Sequence, residues 1–183
     1  MDYHNYLRLR SPLSLIYRNY YLYPRLAKSL NGLTLDLGCG IGDFLLYHSN
    51  CIGADIDIGN ISFCNKLNLR AIHIDSNILP FADSYFDSLI MDNVIEHIDD
   101  PTSILSESKR VLKVFSRMII GVPCLKGFQY DQDHKIYYDY RLLCDTLSFF
   151  DFYPINSFYM PLPFKSLGNY FKQFCLYTEF ISL

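Results

Sequence analysis

The 183-residue chain lacks any run of 18 consecutive uncharged apolar residues, so it offers no candidate for a membrane-spanning helix. The start of the sequence, Met1-Asp2-Tyr3-His4-Asn5, lacks the apolar stretch of a secretory signal, and we expect no export. Internal repeats, low-complexity tracts and glycine-serine linkers are also missing. These absences predict a single domain, which suits the length, because one core usually serves about 100–200 residues.

Charged residues are scarce, at 19%, whereas hydrophobic residues make up 50% and aromatic residues 16% of the chain. A disordered protein has the opposite balance. The charge is uneven: residues 1–30 carry a net +4, residues 31–107 a net −10 and residues 108–183 a net +3. An acidic centre repels a phosphate backbone, so we do not expect a nucleic-acid binder. The basic start is either a docking arm for an anionic partner or an ordinary solvated helix.

Cysteine pairs of the C-x-x-C type are missing, and no cysteine has a nearby histidine at a zinc-binding spacing. The six cysteines are scattered along the chain. This pattern is typical of small buried hydrophobic residues in a reducing compartment. We therefore expect a cytoplasmic protein.

Apolar runs and helical patterns alternate, which predicts an α/β fold with a parallel sheet covered by helices on both faces. The predicted strands are residues 33–37, 51–55, 71–75, 86–91, 117–122, 152–160 and 176–183. The predicted helices are about 13–30 with an interruption at Pro24, 43–49, 59–68, one that Asp100 caps with Pro101 at its first position, and one that Asp139 caps. Ligands of such sheets bind beyond the carboxyl ends of the strands.

A glycine-rich turn, Gly38-Cys39-Gly40-Ile41-Gly42, follows the first predicted strand. Glycines let the chain turn tightly and let a ligand approach the bare backbone. A dinucleotide site would need G-x-G-x-x-G, but here the third glycine comes one residue early. Asp36 lies inside the strand end, where a carboxylate suits a cationic ligand better than a pyrophosphate. A plain tight turn is the alternative interpretation.

Acidic residues end three successive predicted strands: Asp36, Asp55 and Asp75. In doubly wound folds a carboxylate at the second position binds the two hydroxyls of a ribose. Asp57 competes with Asp55 for this role, but Asp55 lies at the strand tip. Three acids at three strand ends predict one binding site.

Residues 35–44, LDLGCGIGDF, resemble motif I of the class I S-adenosylmethionine-dependent methyltransferases. Residues 79–87, LPFADSYFD, and residues 93–98, NVIEHI, are similar to signatures of the small-molecule branch of that family. The resemblance is close over residues 31–123. It implies a Rossmann-like, doubly wound, seven-stranded sheet, mostly parallel with an antiparallel last strand. It also implies S-adenosylmethionine as the cofactor and S-adenosylhomocysteine as its product.

The resemblance implies nine cofactor-binding residues: Asp36, Gly38, Cys39, Gly40, Asp55, Ile56, Asp75, Ser76 and Asn93. Asp36 and the turn residues Gly38, Cys39 and Gly40 would lie at the amino-acid end and the sulfonium of the cofactor. The next two hold the ribose and the face of the adenine. Asp75 and the backbone of Ser76 take the adenine edge, and Asn93 lies near the transferred methyl.

His97 and His134 are the candidate catalytic bases, because both are expected at the mouth of the site, where an acceptor would lose a proton. Each has a plainer alternative: His97 as a brace for the next helix and His134 as a surface loop residue. A metal is not expected. A related subgroup that methylates quinone precursors binds a divalent cation with an acid three residues before its Glu-His pair, and Asn93 stands there in this chain.

The function expected is methyl transfer to a small or carrier-linked acceptor, with a sugar hydroxyl of polysaccharide assembly preferred. The single domain, residues 1–183, would comprise an N-terminal helical segment (1–30), a cofactor-binding core (31–123) and an acceptor-side helix with the final hairpin (124–183). The aromatic stretch 158–164 is either core or lid material, an acceptor pocket or a weak membrane contact. Two other functions stay open: a non-catalytic cofactor-binding or partner-binding module, and an RNA or protein methyltransferase.

Overall fold

The computed structural model describes residues 12–75 and 78–183. The strands are β1 (Thr34–Leu37), β2 (Cys51–Asp55), β3 (Ala71–His73), β4 (Phe86–Asp92), β5 (Leu112–Pro123), β6 (Phe152–Met160) and β7 (Cys175–Ser182). The α-helices are α1 (Pro12–Tyr17), α2 (Tyr23–Ala27), α3 (Asp43–Tyr47), α4 (Ile58–Lys66), α5 (Thr102–Val111), α6 (Leu125–Phe128) and α7 (Tyr140–Ser148). A π-helical turn spans Arg18–Leu22, and 3-10 turns span Ile95–His97 and Lys165–Asn169.

The seven strands form one sheet in the order β3-β2-β1-β4-β5-β7-β6. β1 to β5 pair in parallel, whereas β7 runs antiparallel to both β5 and β6. The predicted mostly parallel sheet with an antiparallel last strand is confirmed. The strand order reverses between β1 and β4, and this is where sheets of this kind bind their ligands.

Alternating side chains of the central strands fill an apolar core on each face of the sheet. Leu89 and Met91 of β4 join one cluster, and Ile90 between them joins the other. Met118 and Ile119 of β5 divide in the same way. This follows from the two-residue period of a strand, and it explains why the central strands carry apolar side chains on both faces.

The segment before β1 is helical, as predicted, and ends its last helix at Ala27. Pro24 does not break it, because Pro24 falls in the first turn of α2, where its missing N–H costs no hydrogen bond. Tyr23 and Leu26 are buried against the sheet. Residues 1–11, which carry part of the predicted basic segment, lie outside the described residues.

The predicted starts of α5 and β5 need correction. Helix α5 begins at Thr102, one residue after the predicted start at Pro101, although the Asp100 carboxylate still accepts from the N–H of Thr102 at 3.0 Å. Strand β5 begins at Leu112 rather than at residue 117. Its first half carries exposed side chains, so it lacks the apolar signal of a buried strand.

The cap of α7 is confirmed, since the Asp139 carboxylate accepts from the N–H of Leu142 at 2.8 Å. All six cysteines are free, and four of them are buried, as expected for small hydrophobic residues. Over the described residues, the helices are too short or too polar to cross a membrane.

Candidate active site

Two adjoining clefts open at the carboxyl ends of β1, β2 and β4. One, of about 360 Å³, contains Asp92 and is called the Asp92 cleft. The other, of about 380 Å³, contains Asp55 and is called the Asp55 cleft. Four residues line both clefts: Gly38, Asn93, His97 and Asp131. Because they share a wall, one extended ligand can occupy both.

The glycine-rich turn forms the floor between the clefts. Gly38 has φ +80°, and a Cβ atom there would lie 2.4 Å from a methyl carbon of Val94. The N–H groups of Gly38 and Cys39 both donate to the carbonyl of Ala54, at 2.7 and 3.1 Å. The Cys39 side chain packs behind the turn, because Gly53 leaves room for its sulfur. The turn therefore presents backbone, rather than side chains, to a ligand.

Asp55 joins β2 to this turn. Its Oδ2 accepts from the N–H of Gly40 at 2.7 Å, and its Oδ1 accepts from the N–H of Asp57 at 2.8 Å. Oδ1 also accepts from the side-chain amide of Asn60 at 3.5 Å, whereas Oδ2 retains a second lone pair. Asp55 lines the cleft that bears its name. Ile56 lines the same cleft and is 75% exposed. The structure thus brings together the acid predicted for a ribose and the side chain predicted for an adenine face.

Asp57, the competing acid, has a structural task. Its Oδ1 accepts from the N–H groups of Gly59 and Asn60, at 2.7 and 3.1 Å, and caps α4. Asp57 also lines the Asp55 cleft. Its capping role, not its distance from the site, therefore argues against Asp57 as the ribose-binding acid.

The third predicted acid is not brought to the clefts. Asp75 is exposed and is absent from the described residues that line either cleft. Its neighbour Ile74 is buried and lines the Asp55 cleft. Ser76 lies outside the described residues.

Asp36 is buried at the end of β1 and lines the Asp92 cleft. Burial raises the pKa of Asp36 well above its usual range, and the nearby acids Asp92 and Asp55 raise it further. The guanidinium of Arg18 acts in the opposite direction. An added cation in this cleft would stabilise the charged form of Asp36.

In the absence of ligand, the Asp36→Asn variant should become more stable than the wild type as the pH rises above about 4. The raised pKa means that the folded state binds the proton more tightly than the unfolded chain. The free energy of unfolding therefore falls above about pH 4, by up to about 1.4 kcal/mol per pH unit. Asp36→Asn removes that loss, and urea unfolding at several pH values measures it. The control is Asp145→Asn, an exposed carboxylate. Parallel stability curves for Asp36→Asn and the wild type would contradict the account.

Asp92 is the centre of a polar cluster that was not predicted from the sequence. Its Oδ1 accepts from the hydroxyl of Tyr177 at 2.8 Å and from the side-chain amide of Asn93 at 2.9 Å. Its Oδ2 lies 3.4 Å from Nη1 of Arg18, which also contacts the hydroxyl of Tyr23 at 3.2 Å. All five residues line the Asp92 cleft. Asp92 could have been predicted as a site residue because it lies at the end of a strand, as Asp36 and Asp55 do.

The predicted histidines lie side by side, with ring centroids 4.6 Å apart. His97 lines both clefts, and His134 lines the Asp92 cleft. Burial and the neighbouring His134 lower the pKa of His97, so its ring is neutral near pH 7. A neutral imidazole can accept a proton. The plainer interpretation of His134 as a surface residue fits poorly, since its side chain is 8% exposed.

Glu96 lies behind the two histidines and is fully buried. Burial raises the pKa of Glu96 to about 8, with its own backbone N–H acting in the opposite direction. Its Oε1 lies 3.9 Å from Nε2 of His134. Together the three side chains form a group that could hold a cation.

Residues 35–120 match a family model described as a methyltransferase domain. An uncharacterized protein of Methanocaldococcus jannaschii is 30% identical over 145 residues, which cover 73% of this chain and 61% of that protein. The chain spans about half the length of the curated relatives it matches.

Solved structures share the fold. An S-adenosylmethionine-dependent methyltransferase from Aquifex aeolicus superposes with a TM-score of 0.72 at 18% identity, covering 100% of both chains. Geranyl diphosphate C-methyltransferase from Streptomyces coelicolor, in complex with Mg²⁺, geranyl diphosphate and S-adenosylhomocysteine, has a TM-score of 0.71 at 13% identity. That match covers 88% of this chain and 80% of the other.

Proposed function

We propose that this chain, which belongs to the class I S-adenosylmethionine-dependent methyltransferases, transfers a methyl group to a small or carrier-linked acceptor. The observation that carries the proposal is the pair of clefts joined at Gly38, Asn93 and His97. One cleft has the groups that suit a nucleoside, and the other has room and polar groups for an acceptor.

The adenosine part of the cofactor would occupy the Asp55 cleft. The Asp55 carboxylate suits the two ribose hydroxyls, since hydrogen bonds to a charged acceptor are the stronger kind. Oδ2 has a free lone pair for one hydroxyl, and the other hydroxyl would replace the long 3.5 Å contact between Oδ1 and Asn60. Ile56 offers an apolar surface to the adenine. The adenine edge would meet the segment after β3, where Ile74 lines the cleft and Asp75 is exposed.

The methionine part would pass over Gly38 and Asn93 into the Asp92 cleft. Its sulfonium and ammonium groups are both cationic, and Asp36 and Asp92 supply the opposite charge in a half-buried setting. The raised pKa of Asp36 supports this placement, because the site carries more acid than its own cation, Arg18, neutralises.

The reaction would be a direct displacement. The acceptor atom attacks the methyl carbon, the carbon–sulfur bond breaks, and sulfur keeps the electron pair as S-adenosylhomocysteine forms. The protein contributes mainly position, since the acceptor must lie about 3 Å from the methyl and in line with the bond. A hydroxyl or amine acceptor also releases a proton, and His97 and His134 are the groups placed to influence that proton.

The acceptor would be a small molecule that combines apolar surface with a hydroxyl. The Asp92 cleft presents aromatic side chains, among them Tyr17 and Tyr130, beside the charged Arg18 and Lys172. Such mixed walls bind and orient small ligands. The sugar hydroxyl preferred from the sequence is one member of this class.

S-adenosylmethionine and S-adenosylhomocysteine should each raise the melting temperature, whereas NAD should not. A ligand at about 100 times its Kd stabilises the folded state by roughly 2.7 kcal/mol. A thermal-shift titration with the three compounds measures this. If neither sulfur compound moves the midpoint, the proposal fails. A non-catalytic module would show the shift but no transfer of labelled methyl to any of a panel of alcohols, phenols and sugars.

A further inference from the structure

Glu96, His97 and His134 form a compact group of potential metal ligands. Each offers one ligand atom, and these atoms all lie within 4.8 Å of one another. The first two come from the 3-10 turn after β4, and His134 comes from the loop between α6 and α7. The group therefore exists only in the folded chain.

The Glu96 carboxylate lacks the partners that burial demands. It is fully buried, and neither oxygen has a hydrogen-bond partner on any other described residue. Nε2 of His134 lies 3.9 Å from its Oε1. Burying a carboxylate without a partner is costly, and a cation bound at this point would remove that cost.

The imidazole of His134 is turned so that a lone pair faces the carboxylate. The Nδ1 atom of His134 lies 2.9 Å from the carbonyl oxygen of Phe128. A carbonyl only accepts, so Nδ1 carries the hydrogen, and in the neutral ring Nε2 has a lone pair directed towards Glu96. The ring of His97 is likewise fixed by a hydrogen bond with the backbone of Asp133. Backbone groups that orient imidazoles in this way support metal-ligating histidines in many proteins.

We propose that Glu96, His97 and His134 bind one divalent first-row transition cation, such as Zn²⁺. Two imidazoles and one carboxylate are a donor set suited to Zn²⁺ or Fe²⁺, whereas Mg²⁺ prefers oxygen ligands alone. Three protein ligands leave at least one coordination position free. That position faces the Asp92 cleft, since His97 and His134 line it.

The role of this cation rests on the proposed function. An acceptor hydroxyl that coordinates the free position would lose its proton to solvent more readily, because a bound cation lowers the pKa of such a group. The oxygen then forms its bond to the methyl carbon as the carbon–sulfur bond breaks. From the sequence no metal is expected, because Asn93 stands where the related subgroup has an acid beside its Glu-His pair; in the site proposed here the third donor is instead His134.

Titration calorimetry with ZnCl₂, on the full chain after treatment with a chelator, tests the site. We expect one equivalent of Zn²⁺ to bind to the wild type, and a Co²⁺ substitute to give visible absorption. MgCl₂ should bind far more weakly. Glu96→Gln and His134→Asn should each lower the Zn²⁺ affinity by more than about a hundredfold, since even outer-shell changes cost 10–100-fold. His73→Asn is the matched control, because His73 lies outside the group and is exposed.

Binding of S-adenosylhomocysteine to the same samples separates the two proposals. Glu96→Gln should bind this ligand within about threefold of the wild type while losing Zn²⁺. Equal Zn²⁺ affinity in the wild type and in Glu96→Gln would overturn the cation site, as would absence of stoichiometric binding to the wild type. If the wild-type protein binds Zn²⁺ but does not bind S-adenosylhomocysteine, the proposed function would be overturned instead.

Discussion

Replacing Asp55 with alanine should weaken the binding of S-adenosylhomocysteine by about a hundredfold or more. Two ribose hydroxyls would lose their shared charged acceptor, and hydrogen bonds to charged groups are worth about 1.5–3 kcal/mol each. The same change releases the N–H of Gly40, which Asp55 holds at 2.7 Å, so the glycine-rich turn would also loosen. Titration calorimetry measures the loss of affinity.

Asp57→Ala is the matched control for this experiment. Asp57 lines the same cleft two residues further on, but its carboxylate caps α4. Its loss should cost about 1 kcal/mol of stability and change the affinity less than about threefold. The melting temperature of Asp55→Ala, compared with that of Asp57→Ala, distinguishes lost binding from a disturbed fold. The reverse order of effects would mean that the ribose acid is Asp57.

Replacing His134 with asparagine should lower methyl transfer by about 10²–10⁴-fold with little change in S-adenosylhomocysteine affinity. His134 lines the Asp92 cleft but not the Asp55 cleft, so it is placed to act on the acceptor rather than on the adenosine. His134 would assist deprotonation of the acceptor as a base in the proposed function, or as a ligand of the proposed cation, and loss of such a group has an effect of this size. The measurement is transfer of labelled methyl to the best acceptor in a panel of hydroxyl compounds.

His97→Asn and His73→Asn complete the comparison. His97 touches both clefts, so its replacement should reduce both transfer and cofactor affinity. The exposed His73 should not affect transfer by the cofactor-bound protein. Because its ring contacts the carbonyl of Ile56 at 3.1 Å, its replacement should change cofactor affinity only slightly. A histidine that only braces the fold would lower the melting temperature and leave transfer by the remaining folded protein near normal. That result for His134 would remove it from the catalytic machinery.

Much of the fold could be predicted because its signals are local. β2 is found at the predicted residues, and β1 and β4 lie within one residue of their predicted limits, because their buried apolar runs are bounded by turns or polar residues. The first half of β5 could not be predicted. It includes Val114 and Phe115, which are exposed, and Phe115 has φ +62° where the pairing with β4 shifts register.

The candidate site likewise has residues that could be predicted from the sequence and residues that could not. Asp36 and Asp55 follow from one rule about strand ends, and the structure places both in the clefts. The contacts of Asp92 with Arg18 and Tyr177 join residues 74 and 85 positions apart, and no local pattern encodes such a meeting. The approach of His134 to the buried Glu96 also depends on tertiary contacts, since the loop after α6 is held there by the N–H of Lys135, which donates to the carbonyl of Glu96 at 2.7 Å.

The central claim is that one cofactor spans both clefts, and a crystal structure with S-adenosylhomocysteine tests it most directly. We expect the ribose hydroxyls on Asp55, the sulfur beside Gly38 and Asn93, and the amino-acid end towards Asp36. The position of the lost methyl would then face the space between His97 and Asp92. A ligand whose sulfur points away from the Asp92 cleft, or whose ribose lies elsewhere than at Asp55, would contradict the account.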